Sequence, residues 1–200
     1  IFALACGSSW FLYLHRYTWN VIGPYLEVDY GLSKTELGAI YSFFTPTYGI
    51  GQIPSGMFCD WIGPHLFLGI IIVCWSLLVP LYGLAGGKAG LIGVRLAFGA
   101  AQAGTYPALS KITGTWFPVK TRTIVQGWVA TFFGRSGGAM SSILLATVLI
   151  GFFEMDWKWA LVVMGSFGVA FGVVFLLLFR SSPEVDSRVN DAERALIAEG

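Results

Sequence analysis

Six apolar runs, each about 20 residues or longer, fill nearly the whole chain, and that length is what an α-helix needs to cross the hydrocarbon core of a bilayer. Hydropathy places them at Ile1 to Leu26, Leu37 to Cys59, Leu66 to Ala85, Ala89 to Trp116, Ile124 to Phe152 and Trp157 to Phe179. With no water inside a bilayer, a spanning segment must satisfy its backbone groups within the protein, and runs this long do so as helices rather than as barrel strands of about ten residues. The expected fold class is an all-α membrane protein, a six-transmembrane-helix bundle in a lipid bilayer. Composition agrees: 56% of the residues are hydrophobic and 12% charged, against roughly 25% charged in ordinary soluble domains. A net charge of +1 argues against nucleic acid as a partner. Cys6, Cys59 and Cys74 have neither an even pairing nor metal-ligand spacing and read as packing residues, so no metal and no cofactor are expected.

The loops assign the two sides. One side receives Lys111, Lys120, Arg122, Arg180, Arg188 and Arg194, while the other receives Lys34, Lys88 and Lys158 beside Glu27, Asp29, Glu36, Glu154 and Asp156. The more basic side is expected to be cytoplasmic, which puts the start of the chain and the tail after Phe179 there, on a cell membrane. Ser181, Ser182 and Pro183 break the sixth helix, and Asn190 with Glu193 offers a capping box for a short amphipathic helix. The chain opens on Ile1 and ends inside that helical pattern, so it is expected to be a piece of a longer protein, with no signal peptide in it.

Polar residues follow helical spacing in four of the six runs. Tyr13, Arg16 and Asn20 share a face of the first; Tyr41, Thr45, Tyr48 and Gln52 of the second; Arg95, Gly99, Gln102 and Tyr106 of the fourth; Thr131, Arg135, Gly138 and Ser142 of the fifth. Runs three and six have no such stripe, which suits helices on the outside of the bundle with lipid on much of their surface. Gly134 with Gly138 and Gly168 with Gly172 have the spacing that lets helices approach closely in lipid. Two polar runs and one apolar run, repeated once, form the pattern expected of a transporter half built from three-plus-three inverted repeats around a polar cavity.

Arg16 lies well inside an apolar run, where a charge costs about 3 kcal/mol or more, and no acidic residue falls within the runs to pair with it. Its planar fork can grip a carboxylate or phosphate through two parallel bonds without losing its charge, so Arg16 is expected to bind a small organic anion. Arg135 is a second candidate, with snorkelling to an interface as the alternative. Gln52, Gln102, Tyr13, Tyr48 and Tyr106 can bond substrate oxygens or, equally, neighbouring helices. Arg95, near the outer end of its run, reads as structural. His15 is the one group in the runs that could exchange a proton near neutral pH; it is either a coupling group or a neutral packed histidine, since successive residues face different ways.

Gly56-Met-Phe-Cys-Asp60-Trp-Ile-Gly63 resembles the loop between helices two and three of the major facilitator superfamily, and Arg95-Leu-Ala-Phe-Gly99 resembles its fourth-helix motif. The resemblance covers nearly the whole chain and implies the N-terminal half of a twelve-helix transporter that works by alternating access. It makes residues 1–180 the six-helix bundle and 181–200 the start of the linker, with the C-terminal half of the same transporter as partner and a working monomer. It implies gating roles for Gly56, Asp60 and Gly63, although Pro64 and His65 stand where basic residues are usual. Within the superfamily, Tyr13-Leu-His-Arg16 and Trp116-Phe-Pro118 followed by Arg122 resemble both the anion:cation symporters and the organophosphate:phosphate antiporters. Ser182-Pro183-Glu184 and the tail from Asn190 to Ile197 look like the symporters, which carry sugar acids. Gln102 and Pro107 are closer to the antiporters, yet those place Lys where this chain has Gln52. The resemblance thus implies a proton-coupled symporter of a hexuronate-like carboxylate, with an organophosphate antiporter using phosphate as its alternative. A reading of another class, an intramembrane serine protease, rests on Gly134-Arg135-Ser136-Gly137 alone and lacks a histidine base placed to serve Ser136.

Overall fold

The computed structural model describes residues 1–198. The described residues contain helices and no strand. Six membrane-length segments are present, and several are interrupted. The first consists of α1 (Phe2–Arg16) and α2 (Thr18–Tyr30), the second of α3 (Lys34–Ser42) and α4 (Phe44–Ile62), and the third of α5 (Pro64–Leu78) and the single turn α6 (Leu81–Leu84). The fourth is α7 (Lys88–Ala103) with α8 (Thr105–Trp116). The fifth is α9 (Val119–Gly127) and α10 (Gly134–Ser142), each followed by a π-helical stretch, Trp128–Phe133 and Ile143–Phe152. The sixth, α11 (Trp157–Leu178), is continuous, and α12 (Asp191–Ala198) follows in the tail.

Three of these segments, Pro64–Leu84, Val119–Phe152 and Trp157–Leu178, are long and apolar enough to cross a membrane by length and composition. The other three are those split at Tyr17, Phe43 and Gly104, and they are three of the four runs expected to carry a polar stripe: each combines a polar face with a break. Pro46 and Pro107 each stand three residues after a break, and each lacks the N–H that would have bonded the carbonyl of Ser42 or Ala103. At Tyr17 and Gly104 a following threonine closes the turn: Thr18 donates to the His15 carbonyl at 2.7 Å and Thr105 to the Gln102 carbonyl at 3.0 Å. The first and fourth segments thus share one local device, as the repeat in their polar stripes implied.

The segments pack in pairs, with α1 on α10, α4 on α7 and α5 on α11. Glycine sets two of these approaches. A Cβ at Gly137 would run into the Trp10 carbonyl, and one at Gly99 into Thr47 and the Phe44 carbonyl. Segments three and six present Leu66, Leu77, Trp159, Phe167 and Leu177 outward and bury Trp75 and Phe175 between them. At one end of the bundle α12 lies near the start of α1 and the ends of α8 and α11, around a cavity of about 650 Å³. The start of α1 and the described part of the tail are therefore on one side. The capping box of α12 is formed, with Glu193 N–H donating to Asn190 Oδ1 at 2.8 Å and Asn190 N–H to Glu193 Oε2 at 3.2 Å.

At the opposite end, ion pairs clip the loops. Lys88 meets Glu36 at 2.9 Å and Lys158 meets Asp29 at 3.1 Å. The Lys88 ammonium, with the Ser33 N–H and hydroxyl, holds the Glu36 carboxyl at about 2, well below its ordinary value.

Candidate functional site

Arg16 ends α1, where the break at Tyr17 turns the chain. Its Nε donates to Gln102 Oε1 at 3.0 Å, and Gln102 is fixed in turn by donating from Nε2 to the Leu12 carbonyl at 3.1 Å. Leu12 lies one turn before Arg16, so the amide bridges the fourth segment to the very helix that carries the arginine. Three rings surround the guanidinium: its carbon lies 4.6 Å from the Tyr48 centroid, 4.7 Å from Phe44 and 5.1 Å from Tyr13. Cation–π contacts of this kind contribute about 0.5–2 kcal/mol each, more as water is removed. No carboxylate pairs with Arg16 among the described residues, and its Nη2 is buried without a hydrogen-bond partner. The Nε edge is thereby committed and the Nη end is left for a ligand. An arginine held by one edge, collared by aromatic faces and with a buried Nη2 that has no hydrogen-bond partner has the donors to hold a planar anion through two parallel bonds.

Arg135 sits on α10, exposed, and lines a cavity of about 390 Å³ with Tyr13, Tyr17, Gly138 and Ala139. Tyr13 is common to both arginines, flanking Arg16 and bordering the Arg135 cavity. Tyr106 lies across from Ser9, hydroxyl to hydroxyl at 3.4 Å. Gln52 is half-buried, one turn along α4 from Tyr48. Arg16, Tyr13, Tyr48 and Gln102 are thus brought together, while Arg135 shares with them only its place beside Tyr13 in the second cavity. Gln102 is fully buried, with both ends of its amide committed within the protein, and the structure places it behind Arg16 rather than facing the cavity.

His15 points elsewhere. It is fully buried, its Nε2 donates to the Met164 carbonyl of α11 at 3.0 Å, and its ring packs against Phe11. A Cβ on Gly168 would collide with the ring, so His15 fills a slot between the first and sixth segments. His15→Ala is expected to lower the melting temperature of the purified protein, because a buried polar contact and a ring's packing are lost. An unaltered melting temperature would show that His15 does not fill a structural slot.

Arg95 is fully buried in a second aromatic box. Its Nη1 donates to the Tyr82 hydroxyl at 3.2 Å, and its guanidinium carbon lies 4.4 Å from Tyr41, 4.8 Å from Trp19 and 5.2 Å from Phe44. Phe44 therefore serves both arginines. At the other end of α4, Asp60 pairs with Lys111 of α8 at 2.8 Å, and Gly63 turns the chain into α5 at φ +83°, a conformation that disfavours a side chain. A Cβ at Gly56 would meet open space. His65, in place of a basic residue, donates to the Leu176 carbonyl at 2.7 Å. Ser136 donates back to the Phe133 carbonyl at 2.9 Å and has no histidine partner among the described residues, so none of them activates it as a nucleophile.

Residues that the sequence did not single out include Phe44, Tyr17 and Tyr82. Tyr17 could have been found, being four residues from Tyr13. Phe44 carries no mark among 16 phenylalanines.

Residues 5–198 match the Major Facilitator Superfamily. The chain belongs to that superfamily. Among superfamily relatives, a probable sulfoacetate transporter of Cupriavidus necator is 28% identical over 193 residues, 96% of this chain and 44% of its own length. The D-galactonate transporter of Escherichia coli is 29% identical, over 94% of this chain and 43% of its own length. The chain thus spans less than half the length of these curated relatives. Among solved superfamily structures, a bacterial homologue of the human lysosomal transporter Spinster, inward-facing and occupied, matches 91% of this chain and 44% of its own with a TM-score of 0.76. At 20% identity that match establishes the fold alone. A helical bundle of this size, covering about half of such relatives, fits the N-terminal half of a major facilitator fold.

Proposed function

We propose that the whole protein is a secondary transporter of a small organic anion of the sugar-acid type, working by alternating access with Arg16 as the anchor. The observation that carries this reading is the guanidinium of Arg16, fixed by Gln102, collared by Tyr13, Phe44 and Tyr48, with its buried Nη2 left without a hydrogen-bond partner and no carboxylate beside it among the described residues. Relatives named as galactonate and hexuronate transporters support a carboxylate substrate. The second half would close the site, and differential affinity of the two cavity states for the anion would drive the switch between them. The tail beyond Phe179 lies on the cytoplasmic side in this reading, and the working unit is a monomer.

The coupling ion is a proton, exchanged outside the Arg16 cluster. The expected result is that a labelled sugar acid enters proteoliposomes holding the full-length protein when a proton gradient is imposed. Uptake of a labelled sugar phosphate, driven by internal phosphate instead, would make the protein an antiporter and overturn the symport reading.

A further inference from the structure

We infer that the tail is a strap, buckled by Arg188 to the C-terminal end of the sixth segment, so that residues 181–198 move as one body with the bundle and not as a free linker. The last four carbonyls of an α-helix have no partner within it, and α11 stops at Leu178. Each of the four is met from outside. The Phe179 N–H donates to the Phe175 carbonyl at 2.9 Å, His65 Nε2 to the Leu176 carbonyl at 2.7 Å and Arg180 to the Leu177 carbonyl at 2.9 Å. The fourth, that of Leu178, accepts from Arg188, ten residues further along the chain. Cations suit this end of a helix, where the dipole is negative.

Arg188 is itself held. Its Nε and Nη2 grip the two carboxylate oxygens of Asp186 at 2.8 and 2.7 Å, and its backbone N–H donates to Asp186 Oδ1 at 3.0 Å. An ion pair exposed on both sides contributes little. Here Asp186 is only 4% exposed, the grip is bidentate, and Nη2 serves the carboxylate and the Leu178 carbonyl together. The stretch between buckle and helix is also seated. Phe179 is fully buried, stacked on Phe175 and set against His65 and Trp116, while Ser181 Oγ lies 3.5 Å from where a Cβ on Gly63 would stand. Beyond the buckle Val189 packs on the core, and α12 lays Leu196 and Ile197 along the cavity that Ile1, Leu4 and Trp116 also line. The tail thereby meets the third, fourth and sixth segments and faces the first across that cavity.

Hydrogen exchange in the purified full-length protein tests the strap whatever the protein transports. Arg188→Gln is expected to speed amide exchange over residues 189–198 by about tenfold or more, since charge-assisted bonds to Asp186 and Leu178 are lost, while α11 keeps its protection and the melting temperature holds. Arg188→Lys, with one nitrogen for two acceptors, should fall between. Arg194→Gln, which removes only the exposed pair with Asp191, should change exchange by less than about twofold. Spin labels on Lys34→Cys and Ala192→Cys, one at each end of the bundle, should give a single narrow distance that broadens when Arg188→Gln is added. Unchanged exchange in Arg188→Gln, an equal rise in Arg194→Gln, or a rise spread through α11 with a lowered melting temperature would each overturn the strap. So would a broad distance distribution with Arg188 in place.

Discussion

Arg16→Lys keeps the charge and is expected to weaken binding of the anionic substrate by roughly 30- to 150-fold, corresponding to about 2–3 kcal/mol for a lost charged hydrogen bond. The guanidinium holds Gln102 with Nε while its Nη end stays free. An ammonium group has a single nitrogen. If it donates to Gln102 it sits back from the ligand, and if it reaches the ligand it releases Gln102 and leaves the amide oxygen unpaired. The rings of Tyr13, Phe44 and Tyr48 also lose the flat cation they surround. Titration of the full-length variant with a labelled sugar acid decides the matter. Affinity within a factor of two of the native value would show that Arg16 does not anchor the substrate.

The second large effect is expected from Gln102→Glu. The native amide uses both of its ends, accepting from Arg16 Nε and donating to the Leu12 carbonyl. A carboxylate can do the first but not the second, so its ionised form pairs with Arg16 and sets an oxygen against the Leu12 carbonyl. The protonated form restores the donor and frees the guanidinium. Substrate anion and ionised Glu then compete for one cation, which means that binding the substrate takes up a proton. By linkage, affinity should fall by up to about tenfold for each pH unit above the acid's pKa and recover below it. Binding curves between pH 5.5 and 8 would reveal the slope, which the native protein lacks at this position. A pH-independent variant would mean that residue 102 does not communicate with Arg16. The anion:cation symporters, which this chain resembles elsewhere, usually carry Glu here, so the substitution asks whether one residue can add a proton-linked step at Arg16 to the exchange proposed outside that cluster.

Charge in an apolar setting is the signal that sequence exposes best. Arg16 and Arg95 were legible for that reason, and so was the four-run polar stripe. Direction was harder to read. Gln102 lies on the polar face of its helix, but that its amide turns to Leu12 and Arg16 depends on where another segment sits. His15 differs from Arg16 by one residue, which on a helix is about 100° of rotation, and this accounts for its burial against α11. The helix interruptions were partly legible: Pro46 and Pro107 mark two of them, whereas the break at Tyr17 depends on a threonine hydroxyl and has no comparable mark. Phe44 could not have been selected, because nothing in a phenylalanine's neighbours along the chain says which cations will meet it across the bundle.

The ring of Phe44 has a mechanical meaning. It stands directly after the interruption in the second segment, stacked on Tyr48 with centroids 5.2 Å apart and tilted against Phe98. Arg16 and Arg95 both draw on it. Under the transporter reading proposed above, a substrate that drew Arg16 away would leave the ring with one cation instead of two, and Arg95 is tied to Trp19, Tyr41 and Tyr82. Occupancy of the pocket would then be felt by residues of the first four segments through one aromatic side chain shared by two cations.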